Sequence, residues 1–184
     1  MLKGFLAAGS LALGLVLGCG DSPQPAGGSA PERVPEQEIF AYRLIQSEQG
    51  LRSWTLTADC MRRYAGDTEV ELDAPRMEFY REGVFQSTLT SQHGRANPQT
   101  KDLFAWDDVV VTTVDGKRLE TKELRYEHRT GLITNEVFNR FTRGGDVATG
   151  FGLVANPSLD YFEIRDRVDA AVTETEAAPE GGSP

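Results

Sequence analysis

Cysteine and histidine are scarce in this chain, with two of each among 184 residues. Two cysteines cannot form a metal-binding Cys cluster alone, and two histidines leave little for a His-rich site, so no metal and no cofactor is expected. Basic residues are outnumbered, 19 Lys and Arg against 28 Asp and Glu, for a formal charge of −9. An excess of acid argues against a phosphate-backbone partner, which needs clustered cations to displace counterions, so no nucleic acid is expected. Catalytic signatures are missing as well: there is no G-x-S-x-G and no H-E-x-x-H. His93 falls in a turn-like Ser91-Gln-His-Gly94 and His128 in a charged hairpin end, and both are expected to be exposed. Asp107 and Asp108 are adjacent, so on a strand they point to opposite faces and cannot converge on one substrate. Asp67, Glu71 and Asp73 lack the spacing of an EF-hand loop. A non-enzymatic protein is expected.

Long apolar runs are also rare. The one that stands out, Gly4–Gly18, follows Lys3 and has Ser10 as its only polar side chain. It falls short of the roughly 20 residues that a helix needs to cross a bilayer and reads as a secretory signal. It ends in Val16-Leu17-Gly18-Cys19, which resembles a bacterial lipobox. That resemblance makes residues 1–18 a lipoprotein signal peptide and Cys19 the lipid-attachment residue, anchoring the chain to a membrane. Cys60 is then left without a pairing partner and reads as a small buried hydrophobe.

Residues 19–38 are dense in Pro, Gly and small polar residues and read as a flexible tether. Residues 169–184 carry Asp169, Glu174, Glu176 and Glu180 with no Lys or Arg, and read as a disordered acidic tail. The folded domain is expected over residues 39–168. It retains 20 acidic and 17 basic residues, so the acidity resides mainly in the ends. A domain so nearly balanced does not exclude an anionic ligand, with Arg62, Arg63, Arg140 and Arg143 available.

Within the domain no helical stripe recurs; the signal has period two. Trp54, Leu56 and Ala58 alternate with threonines, Val70 and Leu72 with acids, and Met77 and Phe79 with Arg76, Glu78 and Tyr80. Phe85 with Leu89, Val109 with Val111, and Leu119, Leu124 and Tyr126 continue it, followed by Ile133, Val137 and Phe141. Glycine-bearing turns lie at 65–67, 81–83, 93–94, 115–116, 130–131 and 144–146. Many short strands, each with one buried face, indicate an all-β fold. A loose repeat supports this: Leu72-x4-Met77-x-Phe79 matches Leu119-x4-Leu124-x-Tyr126, with a fainter third copy over Leu153–Tyr161.

The stretch Trp106–Tyr126, with Gly116, Leu119, Thr121, Leu124 and Tyr126 in G-x-x-L-x-T-x-x-L-x-Y, continues through Gly131–Ile133, Gly144–Leu153 and Asn156-Pro157. It resembles the periplasmic LptC family of lipopolysaccharide export, over roughly Trp54 to Val168. The resemblance implies a twisted antiparallel β-jellyroll, open along one seam. It also implies a role at the periplasmic face of the inner membrane: accepting lipopolysaccharide from an LptB2FG-type ATP-binding-cassette transporter and passing it to an LptA-like protein by edge-to-edge strand pairing. Many members keep an N-terminal transmembrane helix where this chain carries a lipobox-like segment.

On that reading the candidates for the lipid-binding groove are Trp54, Leu56, Phe79, Phe85, Leu89, Val109, Val111, Leu124, Tyr126, Ile133, Phe141, Phe151 and Leu153. For each, ordinary core packing is the alternative, since alternation does not separate a filled core from an open trough. Gly150 and Gly152 mark either a tight corner or a contact with a partner. The alternative function is an envelope lipoprotein β-domain that acts as an assembly module without lipid cargo; a closed, fully packed interior would favour it.

Overall fold

The structure is a computed structural model and describes residues 33–171. The signal segment, Cys19, most of the tether and the acidic tail beyond Ala171 lie outside the described residues. The described residues contain no helix; they form one all-antiparallel sheet of eleven strands. These are β1 (Gln37–Glu48), β2 (Leu51–Arg63), β3 (Val70–Asp73), β4 (Arg76–Arg81), β5 (Val84–Thr90), β6 (His93–Ala96), β7 (Leu103–Thr113), β8 (Arg118–Glu127), β9 (Leu132–Arg143), β10 (Asp146–Ala155) and β11 (Phe162–Ala171).

The pairing is simpler than eleven strands suggest. β2 meets β4 through Thr57↔Arg76 and β3 through Cys60↔Asp73 in one unbroken register. β3 and β4 are therefore one strand broken at Ala74-Pro75, where proline fixes φ and offers no N–H to the ladder. β5 and β6 are likewise one strand, broken at Ser91-Gln92, because Arg76↔Thr90 and Asp73↔His93 share a register. The long β7 pairs with both halves. What results is an up-and-down meander from β1 to β11.

Breaks of this kind recur across the sheet. Register shifts fall at Trp106/Val109 in β7, Thr121/Arg125 in β8 and Phe151/Leu153 in β10. Positive φ angles occur at Ala74 (47°), Asp107 (61°), Asp108 (54°), Gly152 (69°) and Arg167 (49°). A bulge bends its strand and increases the twist, so a row of them folds one half of the sheet over the other. Phe79 on β4 accordingly touches Tyr126 on β8, a strand it does not pair with, at a ring separation of 5.0 Å. Phe141 on β9 stacks on Phe162 of β11 at 4.1 Å. The fold is the expected all-β, twisted antiparallel jellyroll.

The bends also explain the sequence repeat. Leu72, Met77 and Phe79 are all buried, as are Leu119, Leu124 and Tyr126. A five-residue step from Leu72 to Met77, or from Leu119 to Leu124, would reverse the face in a regular strand. The bend restores it, so each repeat is a strand crossing the corner. The third copy is different: Leu153 lies two residues before β10 ends at Ala155, and Tyr161 sits exposed beyond a turn. Two further departures have physical reasons. His93-Gly94, expected as a turn, lies in β6, because the chain reverses its bend at Ser91-Gln92 while continuing as a strand. β1 and β11, whose outer residues are mostly exposed and therefore weakly patterned, extend the fold to Gln37 and Ala171.

Candidate functional site

Side chains facing the inside of the folded sheet form a single cluster. Trp54, Leu56, Phe79, Leu89, Val109, Val111, Leu124, Tyr126, Ile133, Phe141 and Leu153 all belong to it and are at most 6% exposed. Ala58, Met61, Val70, Leu72, Met77, Ala96, Leu103, Ala105, Leu119, Ala155 and Leu159 complete it. Two candidates are placed elsewhere. Phe85 and Phe151 are each 37% exposed. The register shift at Phe79/Tyr80 turns Phe85 outward against Tyr80, and Phe151, in the β10 bulge, turns outward against Phe138. Neither lines the interior. A one-residue slip reverses the face of a side chain, so alternation in the sequence could not locate them.

Two polar side chains inside the cluster escaped the apolar pattern. Asn135 and Asn139 on β9 exchange hydrogen bonds: Asn135 Nδ2 donates to Asn139 Oδ1 at 2.7 Å, and Asn139 Nδ2 to Asn135 Oδ1 at 2.9 Å. Asn135 also donates to the backbone oxygen of Glu123 and to Thr121 Oγ1, and Asn139 to the backbone oxygen of Val137. These carbonyls lie at or beside the bends of β8 and β9, where the ladder leaves them without strand partners; the amides occupy the corner for that reason.

Among the described residues, two openings reach Trp54. One is a mouth of about 310 Å³ lined by Glu48, Arg81, Tyr126, His128, Ser158 and their neighbours, with Trp54 and Phe79 behind them. The other is a narrow slot of about 30 Å³ between Tyr42 and Leu44 of β1 and the Pro98–Leu103 segment, floored by Trp54, Leu56, Val70 and Met77. β1 was not legible in the sequence, yet the Tyr42-x-Leu44 alternation within it supplies one lip of this slot. Trp54 and His128 stand edge to face with ring centroids 6.5 Å apart. Trp54 Nε1 and His128 Nδ1 are buried and have no hydrogen-bond partner among the described residues. An orphaned buried donor costs about 1–3 kcal/mol. His128, expected to be exposed, is thus partly buried, because the aromatic cluster holds one edge of its ring. Burial, with a smaller contribution from the carboxylates of Glu48 and Asp102, pushes the Tyr126 phenol up to about 12, so it stays neutral.

Beside the mouth, the β10–β11 turn is clamped. Lys117 Nζ lies 2.9 Å from both Asp115 and Asp160, and Asp160 also accepts from Ser158 and Arg81. Hydrogen bonds from Lys117, Ser158 and Arg81 hold the Asp160 carboxyl down at about 2. A depressed carboxylate stabilises the fold above its unfolded value near 3.8, and that contribution disappears as pH falls through about 2. Because Asp160 is half exposed, it should be worth on the order of 1 kcal/mol. Chemical denaturation of wild type and Asp160→Asn should therefore converge between pH 4 and pH 2; parallel curves would contradict the clamp.

The two ends of the meander are free edges: among the described residues β1 pairs only with β2 and β11 only with β10. β1 exposes Phe40 and Ile45, and β11 exposes Val168 amid alternating charges. Gly150 lies beneath β11, where a Cβ would stand 2.5 Å from Ile164 Cγ2 and 2.8 Å from the Asp166 carbonyl oxygen; Gly152 needs its φ of +69°. Both glycines are buried at the β10 corner, which accounts for them. Cys60 is buried and free, facing Phe40 across the β1–β2 ladder. Burial, and then the hydrogen bond to Glu38, raise its thiol above the ordinary range, so it is unsuited to act as a nucleophile. Asp107 and Asp108 occupy the β7 bulge, engaged by His93 and Gln92 respectively, and do not converge.

A bent antiparallel sheet with an apolar inside and two unpaired edges defines the chain as a β-jellyroll of the kind that can extend by strand addition. A family model described as lipopolysaccharide-assembly, LptC-related, matches residues 11–174, and the chain belongs to that family. Its members are transport components of the cell envelope associated with the inner membrane, not enzymes. No curated protein matches the chain.

Proposed function

We propose that this protein is a membrane-tethered bridge. It accepts lipopolysaccharide from an inner-membrane ATP-binding-cassette transporter at one sheet edge, holds its acyl chains against the apolar inside, and passes it to an LptA-like carrier at the other edge. The observation that carries this reading is one continuous sheet with free edges at both ends and an apolar inner face between them. An acyl chain left in water costs roughly 25 cal/mol for each Å² of its surface, so a route through the periplasm must be apolar throughout.

Chain order sets the orientation of the bridge: Cys19 precedes the start of β1 at Gln37 by 18 residues. With Cys19 lipidated, β1 is the edge held near the membrane and β11 is the distal one. A photocrosslinker at Phe40 is expected to capture the transporter and one at Asp169 the LptA-like carrier; the reverse pattern would overturn the orientation. Cys19→Ala should leave an unprocessed precursor without acyl label, and normal maturation of that variant would remove the anchor from the account.

A second reading has its own support. The interior is filled with side chains, as expected of an assembly module without cargo, and the slot of about 30 Å³ is far below the 300–1,000 Å³ of ordinary ligand pockets. Lipid carriage therefore requires the slot to widen. β1 is the wall that can give way, since it is held by one neighbour only.

A further inference from the structure

Trp54 separates two cavities of opposite character. On one side is the mouth, with Glu48, Arg81, His128 and Ser158; on the other is the slot, with Leu44, Leu56 and Met77. The indole is 3% exposed, and its N–H, on a residue that lines both spaces, has no partner among the described residues. A hydrophobic core has no use for an unsatisfied donor at this point, whereas a ligand oxygen arriving through the mouth would satisfy it.

We propose that Trp54 is the gate of a two-part glycolipid site, in which an acyl chain enters the slot while its sugar hydroxyls or acyl carbonyls occupy the mouth and accept the indole N–H. This rests on the lipid-carrying reading above and names the part of the cargo that is recognised. The charges in the mouth select neutral oxygens over phosphate. Arg81 is already engaged by Ser158 and Asp160, at 2.8 and 3.2 Å. The Glu48 carboxylate lies 3.7 Å from His128 Nε2 and repels an anion. Among the groups open to a ligand are a neutral phenol at Tyr126, the indole N–H and the unpartnered His128 Nδ1. The slot is lined on its inner wall by apolar side chains and needs only the β1 lip to shift for a chain to pass the indole.

The test follows the Trp54 indole N–H resonance in the mature chain labelled with ¹⁵N-tryptophan; Trp106→Phe assigns the two signals. Lipopolysaccharide, and dodecyl maltoside below its micelle concentration, should each move the Trp54 signal downfield and leave Trp106 in place. Inorganic phosphate alone should move neither. Trp54→Phe, which keeps a ring and loses the donor, should weaken dodecyl maltoside binding about tenfold. Lipopolysaccharide that cosediments with the protein while the Trp54 signal stays still overturns the gate and leaves the carrier reading standing. No lipopolysaccharide binding at all overturns both, and a shift with phosphate alone overturns the assignment to neutral oxygens.

Discussion

Asn139→Ala is expected to destabilise the domain by about 3 kcal/mol, a large share of the ~5–15 kcal/mol that keeps a typical domain folded. The side chain is fully buried. Removing it deprives Asn135 Oδ1 and the Val137 carbonyl of their donors, while Asn135 Nδ2 keeps only Thr121 and Glu123. Each orphaned buried group costs about 1–3 kcal/mol. Asn139→Leu should not rescue the loss, because the partners remain polar and unpaired. In a double-mutant cycle with Asn135→Ala the two losses should overlap by at least about 1 kcal/mol, as expected of residues sharing one network. Urea denaturation measures all three, and a loss below about 1 kcal/mol for Asn139→Ala would mean that the amide pair does not brace the corner.

Stapling the slot shut is expected to abolish lipid loading. Leu44 on β1 and Pro98 on the facing segment belong to opposite lips. Cysteines at these two positions, joined by a short bifunctional maleimide, should drop lipopolysaccharide binding to background, while either single cysteine treated with the same reagent binds normally. Cys60 is buried, with its thiol raised above the ordinary range, and should stay out of the reaction. The expected effect is all or none because the slot of about 30 Å³ is too small for an acyl chain unless the β1 lip moves. Normal loading after stapling would show that cargo enters by another route.

How far the sequence reveals this molecule depends on which face of a strand carries information. Strands with one apolar inner face, such as those of Met77 and Phe79 or of Leu124 and Tyr126, were readable from alternation alone, and so were the β hairpins at Asp115-Gly116 and Thr130-Gly131. Edge strands lack that contrast: β1 buries only part of one face and β11 less, so the two elements proposed to meet partners left the weakest pattern. Bulges were invisible for a different reason. They alter which face a residue occupies without altering composition, so Phe85 and Phe151 read as inward and lie outside. Asn135 and Asn139 escaped because a polar residue on an inward position reads as a break in the pattern. Only the bends of β8 and β9 create the carbonyls they satisfy.

The most direct measurement of the central claim is photocrosslinking during ATP-driven transport, with one probe at a time on the two faces of the sheet. Phe79 and Tyr126 face each other inside, 5.0 Å apart, while Phe85 and Phe151 lie outside. The account predicts lipopolysaccharide adducts at Phe79 and Tyr126 that require ATP, and none at Phe85 or Phe151. Adducts at the outer pair alone, or none at the inner pair while the transporter is active, would contradict it and leave the domain as an assembly module without cargo.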